Sequence, residues 1–176
     1  MNQTKTKKLA AAGLLCAVAV AGSMFLTFPA FGSKCAPVQH MVNVLCAVLL
    51  GPWYGVGVAF CASLIRNLLG VGSLMAFPGS MFGALLCGLA FWKTKNLQVT
   101  LVAEVLGTGV IGGLAAYPVA ILFLNADAAV VAFYAYIIPF LISTVAGSVL
   151  AGVLVAALKR TGALDFGGES VKKHAE

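Results

Sequence analysis

Polar side chains that interrupt long apolar runs are the residues best suited to chemistry in this sequence. Nine of them carry amide, imidazole, guanidinium or hydroxyl groups: Gln39, His40, Asn43, Arg66, Asn67, Ser80, Tyr117, Tyr134 and Tyr136. These groups donate and accept hydrogen bonds, and tyrosine adds a flat aromatic surface. Together they suit the binding of a small heteroaromatic molecule. Gln39 and Asn43 are spaced i, i+4, so they share one face of a helix.

Catalytic and metal-binding motifs are weak by comparison. Ser80 and His40 could be imagined as a serine hydrolase dyad, but there is no G-x-S-x-G elbow around Ser80 and no evident third partner. No metal site is expected, because the five cysteines form no C-x-x-C motif and have no histidine at zinc spacing. Four of them lie in apolar runs and are expected to pack as small hydrophobic residues, whereas Cys35 is expected in an accessible loop. No catalytic residue and no cofactor is predicted.

The composition indicates an integral membrane protein. Of the 176 residues, 61% are hydrophobic and 9% are charged, against roughly 45–50% and about 25% in soluble domains. The net charge of +6 does not indicate nucleic-acid binding, because the basic residues cluster before the first apolar run, in the middle and after the last run. Such clusters mark cytoplasmic loops. The basic residues are therefore interpreted as markers of membrane topology.

Charges and Gly/Pro breakers divide the chain into six predicted transmembrane helices of one all-α, polytopic membrane domain. The predicted spans are 9–28, 38–50, 54–69, 79–92, 97–124 and 128–158, followed by a polar cytoplasmic tail at 161–176. The count of Lys and Arg in the loops predicts that both termini are cytoplasmic. On this topology the nine polar residues lie at the outer ends of five helices, where a pocket open to the outside is expected.

Several of these polar residues have plainer interpretations. Tyr134 and Tyr136 could be interfacial anchors, and Arg66 could extend to lipid headgroups or cap helix carbonyls. His40 and Asn43 could form interhelical hydrogen bonds. Glu104, lower on the fifth span, is expected to have a structural partner or a coupling role in preference to a substrate contact.

Small residues on the first span form a smooth strip. Gly13, Ala17 and Ala21 recur every four residues, which lets another helix approach closely. The strip lies in the cytoplasmic half of the span. It predicts either a docking surface for a partner subunit or packing within the bundle, and the sequence leaves both open.

The order of motifs in the first half of the chain resembles the ThiW family. The resemblance is carried by residues 31–44, 50–54, 65–70 and 76–86, above all by Pro37-Val38-Gln39-His40 and Phe77-Pro78-Gly79-Ser80. It is strong over 9–92 and rests mainly on hydropathy and length beyond that. ThiW proteins are regarded as substrate-binding S components of energy-coupling factor (ECF) transporters for the thiazole precursor of thiamin.

The resemblance implies a six-helix S component in the cytoplasmic membrane of a prokaryote, with an outward-facing site for hydroxyethylthiazole. It also implies docking of the Gly13, Ala17 and Ala21 face on a transmembrane coupling subunit, with two ATPase subunits beneath. The chain has no G-x-x-x-x-G-K-[ST] motif, so ATP would be used by those separate subunits. The alternatives are an S component for another vitamin or precursor such as a pyrimidine, an intramembrane hydrolase, and a membrane scaffold without a ligand.

Overall fold

The protein is a bundle of helices with one short hairpin between its first two helices. The computed structural model describes residues 4–30, 33–127, 129–162 and 164. That part of the chain contains six helices: α1 (Lys5–Phe25), α2 (Pro37–Leu49), α3 (Pro52–Leu68), α4 (Ala76–Thr94), α5 (Leu97–Phe123) and α6 (Ile137–Arg160). The hairpin consists of β1 (Phe28–Ala30) and β2 (Ser33–Cys35). The predicted all-helical class is therefore confirmed.

Helix α2 is the centre of the bundle. It contacts each of the other five described helices, and ten of its thirteen residues are buried. Its apolar face packs with α1 and α3 in a cluster that contains Val42, Cys46, Val58 and Ala62. Because α2 is enclosed on all sides, hydrogen-bond partners for its polar side chains are available only inside the bundle or from a bound ligand.

Three of the described helices are long and apolar enough to cross a membrane. They are α1, α5 and α6, with 21, 27 and 24 residues. Helices α2 and α3 have 13 and 17 residues, which is short for a bilayer core of about 30 Å. Helix α4 extends over 19 residues, beyond the predicted 79–92, and is followed by Lys95 in a left-handed conformation. The structure thus confirms the number of helices and identifies three candidate spans.

The hairpin is a feature that the sequence analysis did not predict. The predicted first span ended at residue 28, but α1 ends at Phe25 and the chain then extends into β1. Phe28 pairs with Cys35, and Pro29 pairs with Lys34, in antiparallel register. Pro29 fits an edge strand because it has no N–H to donate. The hairpin brings the chain to the start of α2.

The start of the last helix differs from the prediction of 128. Helix α6 begins at Ile137, and the described residues before it form turns. Asp127 organises the first turn by accepting the Ala129 N–H at 2.8 Å. Pro139 limits the helix on this side, because a proline clashes with the carbonyl four residues earlier and removes its hydrogen bond. The predicted tail at 161–176 lies outside the described residues, apart from 161, 162 and 164.

The middle of α5 is wound as a π-helix. The segment Val105–Gly112 follows directly after Glu104 and contains three glycines. Gly107 and Gly112 lie close to the α4 backbone at Gly83 and Gly79. A π-helical segment is uncommon and is often found at functional sites. This one holds α5 against α4 directly beside the buried Glu104.

Candidate ligand-binding site

A cavity of about 250 Å³ opens at one end of the bundle. Its walls come from the first turns of α2, α4 and α6, from the last turn of α3, and from the loop that connects α3 to α4. The lining residues are Ala36, Gln39, His40, Arg66, Val71, Gly72, Ser73, Met75, Ala76, Ser80, Pro139, Phe140 and Ser143. The volume lies just below the roughly 300–1,000 Å³ typical of sites for drug-sized ligands. It is suited to a smaller molecule.

Four of the nine predicted residues lie together in this lining. They are Gln39 and His40 on α2, Arg66 on α3 and Ser80 on α4. These four residues lie close together because the helices alternate in direction, which places the end of α3 beside the starts of α2 and α4. The interpretation of Arg66 as a side chain extending to lipid headgroups is wrong, because only 4% of Arg66 is exposed.

Two cavity residues carry buried polar atoms without partners. Neither the oxygen nor the nitrogen of the Gln39 amide has a hydrogen-bond partner among the described residues, and the same holds for Nε of Arg66. Buried polar atoms are almost always hydrogen-bonded, and leaving one unpaired costs about 1–3 kcal/mol. The carboxylate of Glu104 contacts His40 and does not pair with Arg66. The cavity therefore offers unused hydrogen-bonding capacity to a ligand.

A hydrogen-bond network lies behind the cavity. Oε1 of the fully buried Glu104 contacts Nδ1 of His40 at 3.1 Å, and it accepts from Asn43 Nδ2 at 3.0 Å and from Thr108 Oγ1 at 2.9 Å. Asn43 Nδ2 also donates to the Ser80 carbonyl at 3.1 Å. Asn43 thus joins α2, α4 and α5 and is not part of the cavity lining. Asn43 therefore forms interhelical hydrogen bonds, which was the plainer of the two interpretations given above.

Glu104 is the site residue that the sequence analysis underestimated. It was expected to have a structural partner, and it does, but it was placed at a different depth from His40. The i, i+4 spacing of Glu104 and Thr108 was the available signal, since it puts both side chains on one helix face. The contact with His40 spans 64 residues of sequence and could not be deduced from spacing.

Ser80 and Asn67 hold the wall of the cavity together. Ser80 Oγ donates to the Ala76 carbonyl at 2.7 Å and lies 3.0 Å from Ser63 Oγ. Asn67 Nδ2 donates to the carbonyls of Ser63 and Ser73, which fastens the α3–α4 loop to α3. Asn67 is not in the lining. Because His40 pairs with Glu104 and Ser80 pairs elsewhere, the described geometry contains no Ser80–His40 dyad.

The three predicted tyrosines do not line the cavity among the described residues. Tyr134 is 56% exposed and packs edge-to-face against Phe133. Tyr136 directly precedes α6, and Tyr117 is half-buried on α5. The expectation failed for Tyr134 and Tyr136 because α6 starts nine residues later than predicted. Phe140, in the first turn of α6, supplies aromatic surface to the cavity instead.

Cys35 was expected to be accessible, and this expectation is wrong. Only 1% of Cys35 is exposed, and its thiol donates to the Pro139 carbonyl at 3.3 Å. Burial raises the pKa of the Cys35 thiol, because removal from water disfavours the thiolate. The residue next to it, Ala36, donates its N–H to Ser143 Oγ at 2.9 Å. The end of the hairpin is thereby fastened to α6.

Cys35 is expected to react slowly with a soluble maleimide at neutral pH. The thiolate is the reacting species, and both burial and the raised pKa reduce its supply. The rate should be at least about tenfold below that of a free thiol and should rise on unfolding in sodium dodecyl sulfate. The measurement is mass spectrometry of the labelled protein over time in a variant that keeps Cys35 as its single cysteine. Rapid labelling of the folded protein would contradict the buried position.

The small residues of α1 face outward. Gly13, Ala17 and Ala21 are all exposed, and a Cβ added at Gly13 would meet nothing within 4 Å. The residues that α1 buries within the described bundle are Ala12, Ala19 and Ser23. The alternative that the strip packs inside the bundle is therefore wrong. Beside Gly13, an apolar groove between α1 and α3 includes Cys16, Trp53 and Cys61 in its walls.

The sequence matches the model of a known protein family. The family model of ThiW, described as thiamine-precursor transporter protein, matches residues 9–161 of the 176-residue chain. The match covers α1 from Leu9 onward, the whole of the other five described helices and all lining residues of the cavity. No curated protein matches the chain.

Proposed function

The chain belongs to the ThiW family of thiamine-precursor transporters, and from this premise we propose that it is the S component of an ECF-type importer for hydroxyethylthiazole. In this role it captures the substrate outside the cell at the cavity between α2, α3, α4 and α6. The six helices all cross the cytoplasmic membrane, with both termini in the cytoplasm. The short helix α2 is shielded from lipid by its neighbours, whereas α3 presents exposed apolar side chains such as Trp53, Phe60 and Leu68 to the lipid.

The observation that carries this proposal is the unused hydrogen-bonding capacity of the cavity. Gln39 and Arg66 are buried, line the cavity and keep side-chain atoms unpaired. A ligand that brings a ring nitrogen and a hydroxyl group supplies partners for both. Phe140 and Met75 supply apolar surface for the ring and its sulfur.

Transport requires partners that hold ATP, because the sequence has no phosphate-binding loop of its own. The exposed strip of Gly13, Ala17 and Ala21 supports docking of α1 on a transmembrane coupling subunit. Small residues let two helix backbones approach closely in a bilayer, where apolar burial alone gives little attraction. Two ATPase subunits below the coupling subunit then supply energy for reorientation and release.

Replacement of Arg66 with methionine is expected to weaken binding of hydroxyethylthiazole by about 10- to 100-fold. Hydrogen bonds to a charged group contribute about 1.5–3 kcal/mol, and each 1.4 kcal/mol corresponds to a factor of ten. The measurement is calorimetric titration of purified protein in detergent. Lys93→Met, at an exposed position on α4, is the matched control and should bind as the unaltered protein does.

Mass spectrometry of small molecules retained by gently purified protein tests the substrate itself. A thiazole alcohol supports the proposal. A pyrimidine or another vitamin at this site would keep the S-component role and overturn the substrate. No thiazole binding to the unaltered protein, or equal affinity in the Arg66→Met variant, would show that this cavity is not the hydroxyethylthiazole site.

A further inference from the structure

We propose that Glu104 is a positioning residue, which keeps the hydrogen of His40 on Nδ1 and thereby turns Nε2 into an acceptor that selects ligands with a hydroxyl hydrogen. The inference rests on the proposed function and deepens it by stating which hydrogen-bonding groups of a ligand His40 can accept. The two residues involved are Glu104, the only carboxylate in the described part of α5, and His40 on α2.

The geometry of His40 separates its two ring nitrogens. Nδ1 lies 3.1 Å from Oε1 of Glu104 on the side away from solvent. The His40 side chain keeps 9% of its surface exposed and lines the cavity. Nε2 has no hydrogen-bond partner among the described residues and is not one of their fully buried unpaired atoms. The accessible edge of the ring, with Nε2, therefore faces the cavity.

The carboxylate decides which nitrogen carries the hydrogen. An ionised carboxylate accepts hydrogen bonds and donates none, so a contact with Oε1 requires the hydrogen on Nδ1. The hydrogen bond at one ring nitrogen sets the state of the other. In a neutral ring Nε2 then has a lone pair and no hydrogen.

Glu104 is held firmly enough for this role. It is completely buried, and Asn43 and Thr108 both donate to the same oxygen that contacts His40. These two hydrogen bonds fix the position of the oxygen that contacts the His40 ring. Gly83 on α4 allows the close approach, because a Cβ there would lie 2.7 Å from the other carboxylate oxygen. Besides His40, the Cys87 thiol is a titratable group that interacts with the Glu104 carboxylate.

Arg66 and His40 then offer opposite hydrogen-bonding groups to a ligand. Arg66 can only donate hydrogen bonds, whereas Nε2 of His40 can only accept them. A ligand that fits both carries an acceptor at one position and a hydroxyl or amino hydrogen at another. A thiazole alcohol meets this requirement through its ring nitrogen and its hydroxyl group. Its methyl ether keeps every acceptor but has no hydrogen for His40.

The tautomer can be measured without any ligand. Nitrogen-15 NMR of histidine-labelled protein distinguishes protonated from unprotonated ring nitrogens, and His174→Gln leaves His40 as the single histidine. We expect a hydrogen on Nδ1 and none on Nε2 at neutral pH. A hydrogen on Nε2, alone or together with one on Nδ1, would overturn the proposal whatever the ligand proves to be.

Ligand selectivity tests the role of Glu104. In the unaltered protein the alcohol should bind about tenfold more tightly than its methyl ether. Glu104→Gln keeps an oxygen acceptor and should retain both this ratio and the hydrogen on Nδ1. Glu104→Met removes the acceptor and should bring the ratio to within about threefold of one. A merely structural role would weaken both ligands equally and leave the ratio unchanged, which would overturn the proposal.

The inference about Glu104 and the proposed function can fail independently of each other. If neither thiazole binds to the unaltered protein, the substrate assignment fails, while the NMR spectrum still decides the tautomer. If Glu104→Met does not fold, Glu104→Gln and the unaltered protein provide the same two measurements. Loss of the selectivity ratio in the folded Glu104→Gln variant would contradict positioning by an oxygen acceptor.

Discussion

Gly147→Ala is expected to destabilise the bundle by about 1–3 kcal/mol, the usual cost of overpacking a tight contact. Gly147 on α6 faces the start of α2, where an added Cβ would overlap the Pro37 carbonyl oxygen and lie 2.7 Å from the His40 Cβ. Two of the three nearest atoms belong to the α2 backbone, so a rotamer change cannot relieve the overlap. The helices must separate, which also displaces His40.

Thermal unfolding in detergent measures this effect. A lower Tm is expected for Gly147→Ala, by about 2–4 °C for each kcal/mol lost. Gly57→Ala is the matched control, because it lies inside α3 and an added Cβ there would meet nothing within 4 Å. Its Tm should stay constant or rise slightly, since alanine favours a helix by about 1 kcal/mol over glycine. Equal Tm values for the two variants would contradict the close approach of α6 to α2.

Ala17→Leu is expected to abolish most uptake of hydroxyethylthiazole by cells while leaving its binding to the isolated protein unchanged. Ala17 is exposed in the middle of the α1 strip and lies outside the lining of the cavity. A leucine there would hold the backbone of a docked helix away, because the strip works through close contact. Uptake should fall by at least about tenfold, which corresponds to a loss of about 1.4 kcal/mol in docking.

The uptake assay uses cells that express the full transporter, with radiolabelled thiazole alcohol as the substrate. Ala156→Leu on α6 is the matched control, because Ala156 is also small and exposed but belongs to another helix. It should transport at the unaltered rate. Normal uptake by Ala17→Leu would count against docking through α1, and lost binding by the purified variant would point to damage inside the bundle.

Periodicity and composition predicted the helices well, because each depends on local sequence. Helices α2, α3 and α5 begin within two residues of their predicted starts, at Pro37, Pro52 and Leu97. Prolines at the first turn and the Asn96 cap explain this success, since both are local signals. The predicted start of α6 was wrong because an apolar run does not reveal where turns replace a helix.

The composition of the cavity was only partly predictable. Gln39, His40, Arg66 and Ser80 could be grouped because topology alone sets the depth of a helix end. The partner of His40 could not be found, since the rotation of α5 about its axis depends on the π-helical segment and on glycine contacts with α4. Phe140 was missed because its side chain has no polar atom and resembles the other apolar residues of α6.

The enclosure of α2 determines where a new specificity can be engineered. Helix α2 contacts five neighbouring helices, and both Gln39 and His40 are buried, so a change of volume at either position has little room and both are poor positions for redesign. Met75 and Phe140 contact the same cavity from the start of two other helices and are only partly buried. Libraries that seek recognition of larger heterocycles should therefore vary these two positions and keep α2 constant.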